Sequence, residues 1–88
     1  MNRDQMDMDV QAQQTCVSMD KTIRENLTIS NLKVTGGGGH YRISVVSADF
    51  IGKSILEQHQ MVYKIITPFL SGENAPVHAI DHLETKVS

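Results

Sequence analysis

Leu32-Lys33-Val34-Thr35-Gly36-Gly37-Gly38-Gly39-His40-Tyr41-Arg42-Ile43-Ser44-Val45 is the stretch on which the fold turns. Tyr41, Ile43 and Val45 alternate with Arg42 and Ser44, the period of a half-buried strand. This predicts a strand over His40–Ser47 with Tyr41, Ile43 and Val45 toward the core and His40, Arg42 and Ser44 outward. Leu32 and Val34, separated by polar residues, predict a partner strand over Ile29–Thr35. Four glycines break regular structure between the two, so the strands close as a β-hairpin.

Upstream, Cys16, Met19, Ile23 and Leu27 recur at the spacing of one helical face, predicting an amphipathic helix from Thr15 that ends near Asn26. Cys16 falls on its buried side as a small core hydrophobe. Residues 1–14 are polar and lack an apolar stripe, and read as a flexible tail ahead of a domain over 15–88, with Met19 an alternative start.

Downstream, Ser47 to Lys53 reads as a turn, with a short piece of helix around Asp49–Gly52. Ser54 and Glu57 then form an S-x-x-E capping box, in which each residue satisfies a backbone donor of the other. The helix that follows carries Ile55, His59, Val62, Ile66 and Phe69 on one stripe, widened by Leu56, Tyr63 and Leu70. His59 reads there as a core histidine. Pro68 lacks a donor and clashes with the preceding turn, predicting a kink or a stop near Ile66. Ser71–Pro76 is a loop, and Val77–Leu83 a third strand whose alternation His82 interrupts. The sum is an α+β domain, α-β-β-α-(α)-β, with a three-stranded mixed sheet covered by helices on one face.

Composition sets limits on function. A chain of 88 residues makes one domain at most, and buries only ~60% of its unfolded surface. The net charge of −2 and the scatter of eight basic residues provide no general attraction to nucleic acid or anionic lipid. The single cysteine excludes an intramolecular disulfide and an all-cysteine metal site within one chain. No window approaches the ~18 apolar residues of a membrane span, so the expected setting is cytoplasmic.

Two motifs invite phosphate chemistry and neither meets its requirements. The four glycines lead into a strand rather than a helix, and Gly52-Lys53-Ser54 lacks the upstream glycine of a phosphate loop. The histidines are His40, His59, His78 and His82. On an extended strand His78 and His82 stand ~13 Å apart, too far to share one zinc. Nothing forms a recognisable nucleophile or acid–base pair, so no enzymatic activity is expected.

Four segments together resemble the BolA family: His40-Tyr41-Arg42-Ile43-Ser44-Val45-Val46-Ser47, Phe50-Ile51-Gly52-Lys53-Ser54, Gln58-His59-Gln60-Met61-Val62-Tyr63 and Val77-His78-Ala79-Ile80. The resemblance covers roughly residues 17–83 and implies a fold like a class II KH domain. It further implies partnership with a monothiol glutaredoxin and a shared [2Fe–2S] cluster, in iron–sulfur trafficking or iron and redox regulation. His78 matches the ligand histidine of the family's I-H-A-L strand. Glutaredoxin and glutathione would then supply thiolates. The family's second ligand lies in the hairpin loop. Here that loop holds only glycine, which leaves His40 at its end for the role.

The resemblance also carries an alternative: a KH-like nucleic-acid-binding regulator of transcription or stress morphology, using Gly52, Lys53 and Ser54. Such domains clamp a backbone through G-x-x-G, and this chain lacks the second glycine there. Gln58 and Gln60 stand where the family has arginines. Homodimerisation is left open.

Overall fold

The computed structural model describes residues 3–88, with side chains from Val10 onward. Its elements in order are helix α1 (Arg3–Asn26), strands β1 (Ile29–Gly37) and β2 (His40–Ser47), a 3-10 turn (Ala48–Phe50), helix α2 (Ile55–Leu70) and strand β3 (Ala79–Val87). The sheet order is β1-β2-β3, antiparallel between β1 and β2 and parallel between β2 and β3. Both helices pack on one face, as the α+β reading required.

The core is aliphatic apart from two aromatic rings, Tyr41 and Phe50, and the apolar residues of β3, Ile80 and Leu83, only border it. Met19 and Ile23 come from α1, Leu27 from just beyond its end, Leu32 from β1, Tyr41, Ile43 and Val45 from β2, and Val62 and Ile66 from α2. Cys16 packs at the margin of this cluster, and its partial burial pushes the thiol pKa up. Strand β2 runs from His40 to Ser47 as expected, and alternates buried and less buried positions along its length.

Four details depart from the sequence reading. Helix α1 starts at Arg3 rather than Thr15, and the first two residues lie outside the described chain. Met, Gln and Ala are strong helix formers and carry the helix upstream where no apolar stripe announces it. The capping box is present in full, but the stripe behind it is rotated. Gln58, Val62 and Ile66 face the core, while Ile55, Leu56 and Tyr63 are exposed and His59 is only half buried.

Pro68 lies inside α2, which continues to Leu70 without stopping at Ile66. The proline sits in the last turn on the exposed side, where water can satisfy the carbonyl that it leaves without a donor.

Strand β3 begins at Ala79 and extends to Val87 instead of ending at Leu83. Its poor alternation has a definite cause. Tyr41 pairs with Ile80 but Arg42 pairs with His82, so Asp81 is an extra residue in the ladder. This one-residue bulge resets the period. Leu83 and Thr85 pair with Ile43 and Val45 on the helix side, and His82, Glu84 and Lys86 with Arg42, Ser44 and Val46 on the open side.

Candidate functional site

The hairpin turn is tighter than four glycines suggested. Gly36 and Gly37 belong to β1, and only Gly38 and Gly39 form the turn, at φ of +62° and +87°. Two successive positive φ values define the turn whose twist matches a hairpin, and glycine adopts them without strain. The Gly39 carbonyl then accepts two backbone donors, His78 N–H at 2.7 Å and Ala79 N–H at 3.0 Å. The start of β3 is thereby anchored on the turn.

The same contact places the imidazole of His78. A Cβ built on Gly39 would stand 2.8 Å from His78 Cγ, so the ring rests against the bare backbone of the turn. His78 itself is exposed. Beneath it Val77 is buried, and its N–H donates to the Phe69 carbonyl at 3.1 Å. The histidine is therefore presented from a fixed base rather than from a free loop. It borders a cleft of about 490 Å³ whose walls include Gly38, Gly39, Thr15 of α1 and the Glu73–Asn74 turn.

His40 is not on the wall of that cleft. It lies outward on β2, and its Nδ1 is 3.0 Å from Asp81 Oδ1. A carboxylate only accepts, so Nδ1 is the donor here, and in the neutral ring Nε2 is the nitrogen with the lone pair. Metal-binding histidines are commonly oriented by a carboxylate in this way. The bulge that made β3 hard to read supplies Asp81 for the purpose. Hence His78 joins the glycine turn, and His40 stands beside the turn on a separate carboxylate. Among the described residues, no group of three or more His, Cys, Asp or Glu is arranged to hold a metal ion.

Of Gly52, Lys53 and Ser54, the last two are engaged at the start of α2, and Gly52 precedes them at φ +76°. Ser54 Oγ accepts from Glu57 N–H at 3.1 Å, and Ser54 N–H donates to Glu57 Oε1 at 3.0 Å. The Lys53 carbonyl accepts from Gln58 Nε2 at 2.9 Å. Lys53 is exposed, but the carboxylate of Glu57 already occupies the helix N-terminus where a phosphate would dock. The Ser54 backbone N–H, then the Ser54 side chain, hold the Glu57 carboxyl below its usual pKa.

Sequence reasoning missed Gln58 as a structural residue. It is 4% exposed, and its Oε1 accepts from Thr85 Oγ1 at 2.7 Å. Its position at i−4 from Val62 was the available signal.

Residues 13–87 match the family described as BolA-like protein. The chain belongs to the BolA-like family. Solved structures agree with this. BolA1 from Arabidopsis thaliana is 19% identical with a TM-score of 0.71, and the match covers 82% of this chain and 89% of that one. The BolA domain of SufE1 from the same plant is 21% identical with a TM-score of 0.72, covering 83% and 91%. Mouse BolA1, in solution, is 28% identical with a TM-score of 0.67, covering 82% of this chain and 63% of that one. Comparison with curated protein sequences returns no match. No helix among the described residues is long and apolar enough to cross a membrane.

Proposed function

We propose that this BolA-like chain is a non-enzymatic adaptor that pairs with a monothiol glutaredoxin and lends His78 to a shared [2Fe–2S] cluster. The reading is supported chiefly by the exposed His78 imidazole, fixed on the glycine turn at the edge of a cleft open to a partner. One imidazole without further ligands beside it cannot hold a cluster alone. It suits a site that is completed from outside, with thiolates from glutaredoxin and glutathione. His40, oriented by Asp81, stands as the supporting ligand.

Replacing a thiolate by neutral imidazole raises the potential of such a centre and makes ligation depend on protonation. Both effects suit a cargo that is handed on in trafficking or used to sense iron and redox state. This chain's own contribution is positional. The Gly39 carbonyl fixes the backbone of residue 78, and Val77 anchors it to the core.

Reconstitution tests the proposal. The protein is mixed with a monothiol glutaredoxin, glutathione, iron and sulfide, and visible absorption and circular dichroism are recorded. The heterocomplex spectrum is expected to differ from that of the glutaredoxin alone, to change in His78→Ala and to change less in His40→Ala. An unchanged spectrum in His78→Ala removes His78 as a ligand. Retained pairing without any cluster signal leaves only a metal-free adaptor.

A further inference from the structure

The face of the sheet turned away from the helices carries a second feature, separate from the His78 cleft. Lys33, Thr35, Arg42, Ser44 and His82 line a shallow basin of about 180 Å³ there. The register explains why they meet. Thr35, Arg42 and His82 form one row across the three strands, and Lys33, Ser44 and Glu84 form the next. Side chains on one face of adjacent strands are ~5–8 Å apart, and Thr35 and His82, two strands apart, ~10 Å, a span that the long Arg42 side chain between them bridges.

The two permanent cations of this basin stand unpaired. Lys21, Arg24 and Lys86 each have a carboxylate within ion-pair distance, at Glu25, Asp20 and Glu84 respectively. Lys33 and Arg42, like Lys53 and Lys64 on other surfaces, have none among the described residues. Glu84 is the carboxylate at the margin, 3.3 Å from Lys86 and 3.8 Å from His82, and it is not part of the lining. A chain of net charge −2 thus gathers two free cations, a histidine and two hydroxyls on one uncovered surface.

We propose that this basin binds a phosphate group. The guanidinium of Arg42 offers paired donors to two oxygens, Lys33 a point charge, and the Thr35 and Ser44 hydroxyls further donors. A carboxylate has two oxygens and uses fewer of these donors than a tetrahedral oxyanion does. The ligand is taken as a phosphomonoester rather than a nucleic-acid strand, because no Phe or Tyr lies on this face to form the aromatic platform of a single-strand binder. Tyr41 and Phe50 are buried in the core, and Tyr63 and Phe69 belong to α2.

Amide NMR titration of the full chain at fixed ionic strength tests the site, with inorganic phosphate as probe and chloride as control. Phosphate is expected to shift the amides of residues 33–35, 42–44 and 82, and chloride to leave them in place. Arg42→Gln should weaken binding by ~10-fold, the value of a hydrogen bond between charged groups. Glu84→Gln should tighten it by ~2- to 5-fold through loss of a nearby like charge.

These side chains are exposed, so the variants are expected to keep the amide dispersion of the parent. Equal shifts with chloride, shifts spread over Lys53 and Lys64, or unaltered affinity in Arg42→Gln would overturn the assignment. A phosphoserine peptide that binds at least ~10-fold more tightly than free phosphate assigns the source to a modified protein segment. Equal affinity assigns it to a small phosphorylated molecule.

Discussion

Substituting Gly39 by alanine puts two costs on the hairpin, and they can be measured separately. The residue sits at φ +87°, where an L side chain meets the following carbonyl at a cost of ~1–2 kcal/mol. The new Cβ would also lie 2.8 Å from His78 Cγ, 3.0 Å from Cδ2 and 3.2 Å from Nδ1. That overlap obliges the imidazole or the turn to move, which adds ~1–3 kcal/mol as overpacking does elsewhere.

Gly38 is the internal control. Its φ is +62°, and a Cβ there meets nothing within 4 Å, so Gly38→Ala carries the backbone cost alone. In a domain of this size ~1 kcal/mol moves the melting temperature by ~4–8 °C. Gly38→Ala is expected to lower it by ~4–16 °C, and Gly39→Ala to lower it further by a comparable amount. Urea denaturation of both variants, alone and combined with His78→Ala, completes a double-mutant cycle. His78→Ala should relieve the excess in Gly39→Ala and leave Gly38→Ala unaffected. If the two glycine variants are equally destabilised, or if His78→Ala relieves neither, the imidazole does not rest on the turn.

Other outcomes follow from the same structure. Thr85→Val leaves the buried Gln58 carbonyl oxygen without a donor and should cost ~1–3 kcal/mol by urea denaturation. Gln58→Leu combined with Thr85→Val should cost less than the two single changes summed, because no orphaned partner remains between them. Ser54→Ala removes the helix cap and should cost ~1 kcal/mol in the same assay. The Glu57 carboxyl is held low in the folded state, so its contribution is fully present above the ordinary glutamate pKa and is lost as pH falls through the lowered folded value. In Glu57→Gln the acid-side decline of the melting temperature should become shallower; an identical slope would remove the capping carboxylate as its source.

Local patterns carried much of the fold. The alternation of Tyr41, Ile43 and Val45 located β2, and the S-x-x-E pair located the start of α2, because each rests on contacts within a few residues. The stripe of α2 was misjudged at His59 and Gln58 for a physical reason. A half-buried histidine and a buried glutamine have similar polarity, and the partner that satisfies the buried amide oxygen, the hydroxyl of Thr85, lies 27 positions away, beyond any local pattern. The extent of α1 was hidden because it rests on helix propensity upstream, where no periodic stripe marks it.

The order of elements, the hairpin and the family resemblance with its histidine at position 78 were legible from residues alone. Each of these depends on residue type and short-range spacing. Tertiary structure decided what those residues are presented to. The parallel pairing of β2 with β3 brings residues 40 positions apart into register, and no local pattern encodes such a register. That pairing seats His78 on Gly39, and the bulge at Asp81 gives His40 its carboxylate and turns His82 toward Arg42. A one-residue slip in the register would reverse every one of those facings, which is why only the assembled sheet could settle them.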